Sequence, residues 1–151
     1  MTMSRRFFIS VALVAVFAAN VTYITGRFFH APDLFYTARD EVIGADKSVY
    51  VSMIEEARQG ALLVHNLFTS EPQRALFIAP AWVILGYGAR FLHVSALDIF
   101  EVSRILVGFF FLLWLGRICT HFFSEERWAR IAFLLLVFSS GIGAFLLPPG
   151  R

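Results

Sequence analysis

Three carboxylates, Asp40, Glu41 and Asp46, fall within seven positions of one another, with His30 and Asp33 a little upstream. A positioned carboxylate can take the proton of an acceptor hydroxyl or hold a divalent cation. Solvated loops are ordinarily rich in carboxylates, so their presence alone singles out none of the three. The histidines at 30, 65, 93 and 121 are too far apart to form a ligand motif, and no metal site is read from them. The single cysteine, Cys119, excludes an internal disulfide and reads as a small buried hydrophobe. No Gly-rich phosphate loop, nucleophile elbow or cysteine pair is present.

The elements that must position these groups follow from an unusual composition. Of 151 residues, 58% are hydrophobic and 17% aromatic, and only 16% are charged. The mean hydropathy is +0.70. Soluble domains lie near 45–50% apolar and about 25% charged. The apolar excess is clumped, which excludes a disordered chain, a disulfide scaffold and a nucleic-acid binder. The net charge of +2 is too small to imply a polyanion partner. The expected class is an all-α, multi-pass protein of the cytoplasmic (inner) membrane, with the lipid bilayer as its first partner.

The first apolar run, Phe7 to about Phe29, has no charge before Arg27 and is long enough to cross a ~30 Å hydrocarbon layer. Arg5 and Arg6 precede it, which places the N-terminus in the cytoplasm. Ser4-Arg5-Arg6-Phe7-Phe8-Ile9 also resembles a twin-arginine export signal, and Val16-Phe17-Ala18 could serve a signal peptidase. The apolar runs further on favour an uncleaved first span.

Residues 30–73 form a polar segment, expected on the outer face. Within it an amphipathic helix is predicted over about 47–63. Tyr50, Met53, Ile54, Ala57 and Ala61 recur at helical steps, and Gly60 is a candidate stop. Residues 74–93, interrupted by Pro80, Gly86 and Gly88, read as a half-buried juxtamembrane helix or a short span. Two further spans are predicted over 104–120 and 131–147, joined by a loop at 121–130. Trp114 and Trp128 stand where interface aromatics are expected. If 74–93 crosses, there are four spans. If it only dips in, there are three, and the Arg-bearing loop is cytoplasmic, on the same side as Arg5 and Arg6. The second arrangement is preferred, because it obeys the charge rule and accounts for the broken run.

The stretch Asp46-Lys47-Ser48-Val49-Tyr50, continuing through Ala57 to Gly60, resembles the first outer loop of the C-type-fold membrane glycosyltransferases, which use polyprenyl-phosphate sugars. Phe68 to Pro72, leading into Phe77, Pro80 and Gly86, is similar to that family's second, half-buried outer helix. Arg104 opens a span where the family commonly carries an arginine, and Ser139-Ser140-Gly141 fits the far end of the span after it. The resemblance implies that Asp46 is the catalytic acid of the loop, with Asp40 and Glu41 as the alternative pair. It implies that Tyr50 and Arg104 bind substrate, and that a polyprenyl-phosphate sugar is the donor. A divalent cation serves some branches of the family by neutralising the departing phosphate. The chain departs from the pattern at Lys47, where many relatives have a second acidic residue. The family has more spans than this chain, so the resemblance implies an N-terminal part or truncated form of such an enzyme.

The rival expectation is a small, non-catalytic polytopic membrane protein that packs against a partner. Gly108, Gly116, Ser139, Ser140, Gly141, Gly143 and Ala144 would supply the close-packing face.

Overall fold

A computed structural model describes residues 2–29, 44–65, 71, 74–76 and 78–139. The elements among them are five α-helices: α1 (Thr2–Phe28), α2 (Gly44–Arg58), α3 (Pro80–Leu92), α4 (Ala96–Phe122) and α5 (Glu126–Phe138). The chain divides into two compact units, Met1–Thr22 with Ile105–Arg151, and Tyr23–Arg104.

Two helical stretches are long and apolar enough to cross a bilayer, Arg5–Gly26 with 22 residues and Ala96–Phe122 with 27. At 1.5 Å per residue both exceed the ~30 Å hydrocarbon thickness. The central helix of a soluble domain would be mostly covered by its neighbours. Here only 17% and 6% of the two apolar windows are buried. Leu13, Val14 and Phe17 of α1 and Val107, Phe110 and Trp114 of α4 are all exposed. With 13 residues, α3 rises about 20 Å, less than the ~30 Å hydrocarbon thickness.

In the first unit, Phe8 of α1 sits among Cys119 of α4 and Ala129 and Phe133 of α5. The rings of Phe8 and Phe133 meet edge to face, 5.0 Å between centroids. Gly116 makes room for Phe8: a Cβ there would stand 2.9 Å from the ring. The rival expectation of a packing protein lends Gly116 to a partner, but Phe8 occupies it within the chain. Asn20, buried in an apolar helix, donates from Nδ2 to the Val16 carbonyl at 2.7 Å, which removes the penalty of an unpaired amide there.

In the second unit α2 and α3 pack together. The apolar stripe read from the sequence is the packed face, with Ile54 and Ala57 fully buried. The helix ends at Arg58, short of the expected 63. The cause is a Schellman turn: Gly60, at φ 111°, donates to the Ala57 carbonyl, and Ala61 donates to that of Glu56. Pro80 opens α3 at a position where a missing N–H costs nothing. The same turn closes α3, with His93 in the left-handed region at φ 56°.

Helix α4 begins eight residues before the expected Arg104, because Ser95 caps it. The Ser95 hydroxyl accepts from the Asp98 N–H at 3.0 Å and donates to the Asp98 carboxylate at 2.7 Å. It continues to Phe122, and α5 already starts at Glu126, so the expected 121–130 loop shrinks to Phe123, Ser124 and Glu125. Helical hydrogen bonding does not stop where the apolar run stops. The late arginine and histidine of α4 suit the negative end of a helix, and Glu126 suits the positive start of the next.

Candidate functional site

Asp46 stands by its backbone in the first turn of α2, with Tyr50 one turn further along the same helix. A helix start favours a carboxylate through the partial positive charge of its free N–H groups. The side chain of Asp46 lies outside the described residues, as do Asp40, Glu41, His30 and Asp33 altogether.

Lys47, the departure noted in the sequence pattern, is the residue that ties α2 to α4. Its Nζ pairs with Glu101 Oε1, across 54 positions of sequence. The other carboxylate oxygen, Oε2, accepts from Arg104 Nη2 at 2.6 Å. Both cations lie over the ring of Tyr23, Arg104 Cζ at 4.0 Å and Lys47 Nζ at 4.7 Å from its centroid. One carboxylate thus bridges two cations above an aromatic face. The arrangement holds both cations in a partly dried position, with side chains 14% and 34% exposed.

Tyr50 has different neighbours. Its ring stacks on Trp82 of α3, 4.7 Å between centroids and 21° between planes. Trp82 in turn lies 6.0 Å from Phe100 of α4, and Phe100 lies 5.7 Å from Lys47 Nζ. The aromatic series therefore connects Tyr50 to the ion cluster without direct contact between Tyr50 and Arg104 being needed. Sequence reading identified Asp46, Tyr50 and Arg104 as candidates but missed Tyr23, Trp82 and Glu101. The one available signal was the three-residue spacing of Glu101 and Arg104 on a helix.

An open groove of about 490 Å³ runs between α2 and the start of α4. Ser52, Glu55, Glu56, Gln59 and Ser95 supply its polar lining. Arg58 donates to both oxygens of Glu55, at 2.7 and 2.6 Å, and these bonds hold the Glu55 carboxyl below its ordinary pKa against the opposing effect of burial. The Arg58 guanidinium is raised by the same bonds. Glu56 is bonded to the backbone N–H and ring Nδ1 of His65, each at 3.1 Å. Among the described residues no group of three or more His, Cys, Asp or Glu side chains is placed to hold a metal ion.

Comparison of the chain with protein-family models, with curated proteins and with solved structures found no match.

Proposed function

We propose that this chain is a multi-pass inner-membrane protein carrying the first outer-face loop of a glycosyltransferase that moves a sugar from a polyprenyl-phosphate carrier to an acceptor. The observation that carries this reading is the position of Asp46 and Tyr50. They lie one turn apart at the start of α2, a helix tied by Lys47 and Glu101 to the first turns of an apolar α4. A polar platform at the mouth of a span suits a donor whose lipid tail stays in the bilayer and whose sugar phosphate reaches water.

In this reaction the acceptor oxygen attacks the anomeric carbon, and the bond from that carbon to the phosphate oxygen breaks. The phosphate leaves with the electron pair as an anion, and the acceptor proton passes to a carboxylate, assigned to Asp46. Tyr50 flanks the site, and Lys47, through Glu101, ties its helix to α4.

The topology follows from the charge rule. In the first unit the beginning of α1 meets the end of α4 and the beginning of α5 through Phe8, Gly116 and Phe133. Arg5 and Arg6 therefore share a membrane side with Arg117, Arg127 and Arg130. That supports three spans, with α3 outside the hydrocarbon, over four.

The test is sugar transfer in membranes carrying the protein, supplied with a panel of radiolabelled polyprenyl-phosphate sugars. Asp46→Asn is expected to lower transfer by at least about 100-fold at unchanged expression, the scale of a lost general base. Wild-type-level transfer by that variant rejects the role of Asp46, and the absence of protein-dependent transfer from every donor rejects the reaction. The second reading, a non-catalytic packing protein, is favoured by Gly108. A Cβ on that glycine would meet nothing within 4 Å, and Phe111, one turn further along the same face of α4, is exposed.

A further inference from the structure

We propose that the end of the first unit, where α1 begins, α4 ends and α5 begins, is a docking surface for anionic phospholipid headgroups. The inference rests on the reading that α1 and α4 cross a bilayer. It goes beyond the charge rule in assigning a ligand.

The three helix ends are locked together by contacts already described. Arg130 Cζ of α5 lies 5.0 Å from the Phe7 ring of α1, and Phe8 fills the space beside Gly116 of α4. Five arginines, at 5, 6, 117, 127 and 130, converge on this end, against Glu125 and Glu126. Arg130 is held by Glu126. Arg5, Arg6, Arg117 and Arg127 are exposed and form no ion pair among the described residues. The four guanidinium groups are exposed, that of Arg127 lying 5.8 Å from the Trp128 ring centroid, and a guanidinium binds phosphate bidentately.

The occupant is identified by what lies between the arginines. Trp114, Phe122, Phe123 and Trp128 are all exposed at the same end. An open groove of about 460 Å³ runs along the last turns of α4, between Trp114, Arg117, Ile118, His121 and Phe122. Exposed aromatic rings interleaved with arginine match the headgroup layer, where the rings sit among glycerol and acyl carbons and the cations meet phosphate. A soluble acidic partner would satisfy the arginines and leave the rings in water.

The test uses the full chain in vesicles containing brominated phosphatidylglycerol or brominated phosphatidylcholine, with tryptophan quenching as the readout. Trp82→Phe leaves Trp114 and Trp128 as the only tryptophans. If that variant does not fold, the unsubstituted chain is compared with a Trp114→Phe/Trp128→Phe variant. The expected result is a preference for the anionic lipid of about fivefold or more, equivalent to one engaged arginine. It should disappear in the Arg5→Gln/Arg6→Gln/Arg117→Gln/Arg127→Gln variant and in high salt. Equal quenching by both lipids overturns the headgroup surface and leaves the membrane reading standing. A preference that survives the four substitutions also overturns it. No quenching by either lipid, with no flotation of the chain on vesicles, overturns the membrane reading and this surface with it.

Discussion

Gly86 of α3 lies so close to Ala57 of α2 that a Cβ built on it would stand 2.4 Å from the Ala57 Cβ and 2.6 Å from the Ile54 carbonyl oxygen. The Ile54 oxygen, and the Arg58 nitrogen at 2.9 Å, are backbone atoms of α2, which cannot rotate away as a side chain would. The pairing of the two helices depends on the missing side chain. Gly86→Ala is expected to lower stability by about 1–3 kcal/mol, the usual cost of overfilling a packed contact. Gly88, two residues on, has nothing within 4 Å of a Cβ. Gly88→Ala is expected to raise stability by about 0.5–1 kcal/mol through helix propensity alone. Thermal unfolding in detergent micelles, followed by circular dichroism, checks both. Equal effects of the two substitutions would refute the close contact.

The cation bridge predicts an order among three variants. Glu101→Gln removes the shared carboxylate and leaves Lys47 and Arg104 facing each other, whereas Lys47→Met leaves the Glu101–Arg104 pair intact. The side chains of Lys47 and Glu101 are 14% and 18% exposed, between surface and core. The loss on Glu101→Gln is accordingly expected at about 1–3 kcal/mol, between the values for exposed and buried pairs. Lys47→Met should cost less, and adding it to Glu101→Gln should recover part of the loss. Unfolding midpoints of the three variants give the order, and a larger cost for Lys47→Met than for Glu101→Gln would contradict the bridge.

The Ser95 cap sets where α4 begins. Ser95→Ala is expected to cost about 1 kcal/mol and Ser95→Asp to restore most of it, because either side-chain oxygen can accept from the Asp98 N–H. Backbone amide exchange at Leu97 and Asp98 is the direct measurement. Faster exchange should be confined to that first turn in the alanine variant, and unchanged protection there would rule the cap out.

Glu55 titrates below the ordinary carboxylate range because Arg58 donates to both its oxygens. A carboxyl whose pKa is lower in the folded than in the unfolded chain adds stability above the unfolded value. That contribution is lost as pH falls through the folded value. Arg58→Leu should move the Glu55 midpoint upward, as read from its side-chain carboxyl carbon by NMR, and should flatten the acid limb of stability. An unmoved midpoint would show that the guanidinium is not the cause.

The two long helices were legible in the sequence because a span leaves an uninterrupted apolar run. The buried face of α2 was legible because its period survives in one short helix. Their limits were less so. Gly60 reads as a candidate stop, yet the apolar period carries the expected helix three residues past it, since a period does not show where a left-handed turn intervenes. In the sequence Gly116 is one of several small residues on a span, which look alike until something packs on them. Phe8, more than a hundred residues earlier in the chain, is what packs on it.

Composition and run length alone determine that this chain is helical and that α1 and α4 can span a bilayer. These properties depend on each residue's solvation and on neighbours within a few positions. Tertiary structure decided which glycines are filled from within and which remain open. It also decided that Lys47 meets Glu101 and that Tyr50 stacks on Trp82. Those contacts join residues between 32 and 54 positions apart. No local period encodes such pairs; they exist because Gly86 lets α3 approach α2 and because one half-buried carboxylate needs cations from two helices.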